Sequence, residues 1–187
     1  MFDYTNRIDK RYWFVRDADI KQARKMIAEN HYAKGCANTA VAVHGLFDCV
    51  GDLCGVAWWM PPIRAAAAAT YHDPTKVLAL SRLVIAPDVP KNACSFLISR
   101  SIKMIDKNKW PCLVTYADSW QGHQGTIYKA TNWEEVGKTK PEKCYVKDGR
   151  MLCKKAGPKT RTHAEMLALG AECIGSFSKT KFRMIRK

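Results

Sequence analysis

Residues 77–86, VLALSRLVIA, make a long apolar run interrupted only by a serine and an arginine at its centre. A run of that length without alternation belongs to a strand buried on both faces. Such strands sit where parallel neighbours meet and helices cover both sides of a sheet. Pro87 stops the run. Arg82 is its anomaly, because a cation inside a buried strand must be met by an acid or by an anionic ligand.

The flanking patterns fit the same sheet. Residues 12–15 read as a short strand, and 20–30 as a helix with Ile20, Ala23, Met26 and Ile27 at helical spacing behind an Asp19 cap. Residues 40–47 and 53–60 read as a hairpin pair ended by Pro61-Pro62, and an Ala-rich insertion follows. After the central strand, 92–104 reads as a helix with Phe96, Leu97, Ser101 and Met104 along one face, and 112–117 as the next strand. A glycine-containing loop, a short helix at 126–131 and a strand at 133–136 complete the pattern. Residues 143–154 read as a hairpin turning on Asp148-Gly149, 163–173 as a last helix, and the end as a basic tail. The order predicts a mixed α/β sheet of the acetyltransferase-like (GNAT) kind in one domain. Its expected parts are a core over 1–140 and a basic hairpin, helix and tail over 141–187 packed on it.

Charge points to the partner. The formal net charge is +14, and residues 138–187 hold 14 of the 31 basic side chains but only four of the 17 acidic ones. A field so concentrated captures polyanions. No apolar stretch approaches the roughly 20 residues of a membrane span, and residues 1–13 lack an export signal's apolar core. A cytoplasmic protein without a membrane partner is expected. The eight cysteines are scattered and include no C-x-x-C pair. That leaves a zinc finger unsupported and favours reduced thiols.

Two stretches carry candidate chemistry. In an acetyltransferase-like sheet the loop after the central strand binds a pyrophosphate at the next helix's N-terminus, and glycines let the backbone approach. The matching loop here, residues 89–95, has no glycine, and Lys91, Asn92 and Ser95 are its candidate cofactor-binding donors. The second stretch is YADSWQGHQGTIYKATNW, residues 116–133. Tyr116 and Asp118 lie two apart at the C-terminal end of a strand, so they face the same way. Ligands enter open α/β sheets at that end. Tyr128 follows one short helix later. A carboxylate, a serine hydroxyl and phenols converging near Arg82 make an acid–base set. Tyr116, Trp120, His123 and Lys129 are the candidate substrate contacts.

With Leu80-Ser81-Arg82-Leu83 and Asn92-Ala93-Cys94-Ser95, the tract YAD-x-x-x-GH-x-G-x-IYKA-x-NW resembles the Mom family of bacteriophages over roughly residues 25–140. The resemblance implies a transferase that places a carbamoylmethyl group on the exocyclic amine of adenine in double-stranded DNA and so hides phage DNA from host restriction enzymes. It implies catalytic roles at Arg82, Ser95, Asp118 and Tyr128, and an early histidine–tyrosine pair at His31-Tyr32. Acetyl-coenzyme A and iron are associated with the family, and His31 is the candidate metal ligand. Acetyl transfer lacks the nitrogen of a carbamoylmethyl group, whereas a glycyl group is its isomer. Glycyl-tRNA is therefore the competing donor, and it suits a glycine-free loop and a basic C-terminal segment.

An amine inside a duplex is reached by flipping the base. Trp58, Trp59, Trp120 and Trp133 are available to stack or wedge, with Trp120 favoured. Lys138–Arg161 and Lys179–Lys187 are expected to hold phosphates. The H-x-E at His163-Ala164-Glu165 lacks the P-C-x-x-C that a zinc deaminase needs. Two readings of other classes compete: a non-catalytic basic nucleic-acid-binding module on the same scaffold, and an N-acetyltransferase acting on another amine.

Overall fold

The computed structural model describes residues 7–156 and 159–186. Its main sheet has seven strands in the order β1-β2-β3-β4-β5-β12-β6. These are β1 Phe14–Asp17, β2 Ala42–Phe47, β3 Leu53–Met60, β4 Val77–Ile85, β5 Cys112–Asp118, β6 Glu134–Lys138 and β12 Lys179–Ile185. The pair β4–β5 is parallel and its neighbours are antiparallel. Three helices supply the layers. Helix α3 (Ala93–Met104) buries Ala93, Leu97 and Ile98 against one face with Leu78, Leu80, Trp59 and Leu113. Helix α1 (Ile20–Asn30) buries Ala23, Met26 and Ile27 on the other face with Val56, Trp58 and Val84. The short α2 (Arg64–Ala68), formed by the Ala-rich insertion, covers Val77, Ala79, Cys112 and Val114 beside α1's layer.

Local chemistry explains these boundaries. Asp19 caps α1 by accepting from the amides of Lys21 and Gln22. The adjacent tryptophans Trp58 and Trp59 are fully buried on opposite faces of β3, one against α1 and one against α3. Truncating either costs about 3–5 kcal/mol. Along α3 the interior residues include Leu97 and Ser101, as the spacing implied, but Met104 faces solvent, and Ala93 and Ile98 complete the stripe. The Ser101 hydroxyl is buried because it serves two partners, His44 Nδ1 at 2.7 Å and Trp59 Nε1 at 2.6 Å.

The centre of the sheet carries the functional geometry. Parallel pairing holds only from Val77↔Cys112 to Ala79↔Val114. Beyond it the two strands part, and Thr115 Oγ1 donates to Leu80 O at the fork. Across the other edge of β4, Trp58 pairs with Arg82 and Trp59 with Leu80, so Ser81 is an extra, bulged residue. The bulge shifts the alternation: Leu78 and Leu80 face α3, but so do Leu83 and Ile85. Arg82 is thereby turned to the α1 side, together with Val84. The serine and arginine that interrupt the apolar run are therefore the bulge itself.

The C-terminal segment departs from the sequence expectation. The two-residue strands β9 (Lys155–Ala156) and β10 (Lys159–Thr160) pair with each other. A small sheet of β7 (Glu142–Lys147), β8 (Arg150–Met151) and β11 (Glu172–Phe177) is covered by α5 (His163–Ala168), with Tyr145, Met166 and Ala171 in its core. The β7–β8 hairpin turns on Asp148 and Gly149, both at positive φ. Helix α5 is shorter than expected. It ends before Gly170, at φ +76°, and Cys173 belongs to β11. Glu165 closes a capping box with Thr162 and His163 bonds Tyr145, so the H-x-E triplet is structural.

The basic tail is a correction of substance. Residues 179–185 are not a tail but β12, inserted between β5 and the edge strand β6 of the main sheet. Its cations are occupied within the chain. Lys179 pairs with Asp118, Lys181 donates to Ala69 O, and Arg183 bridges Glu134. Arg186 donates to the carbonyls of Ile102, Ile105, Asp106 and Trp110, clamping the end of α3. Lys187 lies outside the described residues.

Candidate active site

The open end of the β4–β5 fork gathers Arg82, Asp118 and the loop that follows α1. Asp118 ends β5 with its side chain only 9% exposed. Oδ1 accepts the Trp120 amide at 3.3 Å; Oδ2 accepts the Tyr32 hydroxyl at 3.3 Å and lies 3.2 Å from Lys179 Nζ. The following turn, Ser119–Gln121, is a single 3-10 turn that Asp118 caps, and His123 N returns to Asp118 O.

Arg82 finds no carboxylate among the described residues. Its Nε donates to Gly35 O at 2.7 Å and its Nη1 to Ser81 O at 2.7 Å. The guanidinium thus fastens the loop carrying His31 and Tyr32 across the mouth of the fork. His31 terminates α1, stacks on Tyr32 at 4.4 Å, and accepts the Ala33 amide on Nδ1. Burial, with Arg82, His123 and Lys34 nearby, lowers its pKa to about 4, so the ring is neutral. Burial and the Asp118 charge push the Tyr32 phenol up, so it remains a proton donor to that carboxylate. His123 is exposed and meets Tyr32 edge-on at 6.0 Å.

Tyr128, on α4 (Thr126–Lys129), lies on the α3 side of the fork. It packs on Trp133 and Phe182, and burial raises its pKa against the opposing effect of Thr115, the residue that closes the fork. Gly125 makes this packing possible. It adopts φ +72°, and a Cβ there would lie 2.1 Å from the Phe182 ring.

The other candidates lie apart from Asp118's immediate partners. Tyr116 shares the Asp118 face of β5 but packs into the layer under α2. Lys129 is on the surface, paired with Glu135 at 2.9 Å. Trp58, Trp59 and Trp133 are buried, which leaves the half-buried Trp120 among the four tryptophans considered for stacking. Sequence reasoning missed two contributors. Thr115 looks like an ordinary strand residue, and Lys179 reads as part of a charge run. The usable signal was period two, since Lys179, Lys181 and Arg183 alternate with Thr180, Phe182 and Met184.

Neither expected cofactor fits in the usual way. Asn92 caps α3 at φ +66°, but its Oδ1 accepts the Ile8 amide, Lys91 bridges to Arg7, and Ser95 Oγ donates to Asn92 O. The chain's own N-terminal segment thus crosses the loop where a pyrophosphate cradle belongs. The ring of a metal-bound histidine donates from its second nitrogen. His31 instead accepts at Nδ1, so its proton sits on Nε2, and no group of three His, Cys, Asp or Glu able to hold a metal occurs among the described residues. The expectation of iron at His31 is therefore not supported by these residues.

A sheet that opens between its parallel strands, with a helix packed over the gap, is the fold of the GCN5-related acetyltransferases. Solved structures of that class match nearly the whole chain. An N-acetyltransferase from Staphylococcus aureus Mu50 matches at TM-score 0.57 and 10% identity, over 94% of this chain and 99% of its own. A Bacillus subtilis acetyltransferase in complex with CoA gives 0.57 and 7%, with the same coverage. A GCN5-related N-acetyltransferase from Kribbella flavida gives 0.55 and 11%, over 95% and 99%. Such identities establish the fold alone.

Within that fold, the chain belongs to the Mom protein family, whose model matches residues 12–186. The match is wider than the stretch 25–140 and includes the C-terminal segment. The chain is 28% identical over 122 residues to the methylcarbamoylase Mom of Escherichia phage Mu, covering 62% of this chain and 49% of that protein. It therefore spans about half the length of this relative. Among the described residues no helix is long and apolar enough to cross a membrane.

Proposed function

We propose that this protein transfers a carbamoylmethyl group, or its glycyl isomer, to the exocyclic amine of adenine in double-stranded DNA, in the cytoplasm of the host cell, and thereby shields phage DNA from restriction. The observation that carries the reading is the Asp118 carboxylate, nearly buried at the open end of the fork yet tied to Tyr32 and Lys179. A carboxylate so placed is suited to take a proton from an amine. Arg82 and Tyr128 flank it, one fastening the loop on the α1 side and the other lining the α3 side. Ser95 stands on the donor side, at the start of α3. The relationship to a phage methylcarbamoylase supports the same substrate class.

The donor that suits this chain best is glycyl-tRNA. The loop beneath α3 has no glycine, and the side chains of Asn92 and Ser95 are engaged internally. Lys140, Lys143, Arg150, Lys154 and Lys155 make no ion pair among the described residues, unlike Lys159, Lys179 and Arg183. They are available to DNA or tRNA phosphates. Trp120 is the side chain for stacking on an extruded base, and His123 lines the same rim.

The test is nucleoside mass spectrometry of plasmid DNA from cells making this protein, beside an Asp118→Asn control. A deoxyadenosine species heavier by about 57 Da, absent from the control, is expected for a carbamoylmethyl or glycyl addition. Unmodified DNA from cells with ample folded protein would overturn the reading. Modification by purified protein supplied with acetyl-coenzyme A and no charged tRNA would overturn the donor.

A further inference from the structure

Resting on that reading, we propose that Lys179 is a positioning residue of the site: its ammonium supplies the compensating charge that fixes the Asp118 carboxylate beside the Tyr32 hydroxyl. A carboxylate that is 9% exposed needs a compensating charge or a full set of donors. The Trp120 amide and the Tyr32 hydroxyl are neutral, each at 3.3 Å, and Arg82 is spent on the carbonyls of Gly35 and Ser81. Lys179 supplies the missing charge at 3.2 Å.

The placement comes from the backbone rather than from a flexible chain finding a partner. Lys179 is the register partner of Asp118 in the antiparallel β5–β12 ladder, so the two side chains emerge side by side. On its other flank, Lys179 N donates to Thr139 Oγ1 and Thr139 N donates to Lys179 O, both at 2.9 Å. Ser119 Oγ donates to Ser178 O one residue earlier. The next cations on this face cannot replace it, because Lys181 and Arg183 are held by Ala69 O and Glu134. The remaining titratable groups around the carboxylate are Tyr32 and His31 on the α1–β2 loop, Arg82 on β4, His123, and Cys144 and Glu142 on β7.

The experiment pairs two readouts on Lys179→Met and Lys179→Arg. The first is thermal unfolding of the purified proteins from pH 8 to pH 5, which needs no substrate. In Lys179→Met the enclosed carboxylate has no counter-charge, and burial without one is expected to favour the protonated acid. Lys179→Met should therefore be less stable than wild type at pH 8, and the gap should close toward pH 5. Asp118→Asn should abolish that pH dependence in the double variant. The second readout is the rate of adenine modification against pH. Lys179→Met should lower it by about 10–100-fold and move the acid limb upward, and Lys179→Arg should restore most of it. A stability gap that stays constant with pH, or a Lys179→Met protein that modifies DNA at the wild-type rate, overturns the proposal. Absence of modified adenine with wild-type protein counts against the function instead, and the unfolding series still decides the role of Lys179.

Discussion

The hydroxyl of Tyr32 donates to Asp118 Oδ2 at 3.3 Å, joining the loop after the first helix to the end of the fifth strand across 86 residues of chain. Tyr32→Phe removes this one bond and keeps the ring stacked on His31. Modified adenine should fall about 10–100-fold, while stability changes by no more than about 1 kcal/mol. Quantifying modified nucleoside beside a denaturant melt checks both.

His31 should make the protein sensitive to mild acid. Its folded pKa of about 4 lies below the ordinary histidine value of 6.5. Between those values the unfolded chain binds a proton that the folded chain refuses. Stability is therefore full above about pH 6.5 and is lost as the pH falls toward 4. Discounted for partial exposure, the loss is about 1–2 kcal/mol. His44, whose pKa is also lowered by burial, acts in the same direction. His31→Asn should flatten the melting temperature against pH over that range.

Gly125 and Gly122 share the same loop and left-handed backbone, at φ +72° and +70°, but only Gly125 faces an obstacle, the Phe182 ring. Gly125→Ala should cost about 2–4 kcal/mol, and Gly122→Ala only about 1 kcal/mol. Chemical denaturation of the two variants measures the contrast.

Ser101→Ala strands His44 Nδ1 and Trp59 Nε1, both buried. The expected loss is about 2–3 kcal/mol. Activity per folded molecule should be unchanged, since the hydroxyl lies in the core beneath α3. Comparing the melting temperature with specific modification separates the two effects.

The basic residues of the C-terminal segment should divide into two groups. Arg186→Ala should lower stability by about 1–3 kcal/mol through the carbonyls at the end of α3, with DNA affinity intact. Lys143→Ala with Lys154→Ala should do the reverse. It should weaken binding alike on all sequences and reduce the slope of log affinity against log salt by about 2, as a fluorescence-anisotropy titration can show.

Sequence by itself determined most elements of residues 12–138 and the class of fold. Hydrophobic period, proline stops and caps set α1 at Ile20–Asn30 and β3 at Leu53–Met60, and the apolar run at 77–86 required the central strand. The loop after β5 was legible as a candidate site because Tyr116 and Asp118 share a period and sit at a strand's end. Only the tertiary structure decided what those residues touch. Ser81 and Arg82 read as an interruption, and pairing with Trp58 and Trp59 made them a bulge that redirects the guanidinium to Gly35 O. Lys179–Ile185 read as a charged tail because its local pattern is short and basic. Its burial comes from strands more than 40 residues distant in sequence, and no local window contains that information. The partnership of Tyr32, Lys179 and Asp118 is of the same kind. Side-chain type and spacing specify each element, but the long-range register of the sheet specifies which charges meet.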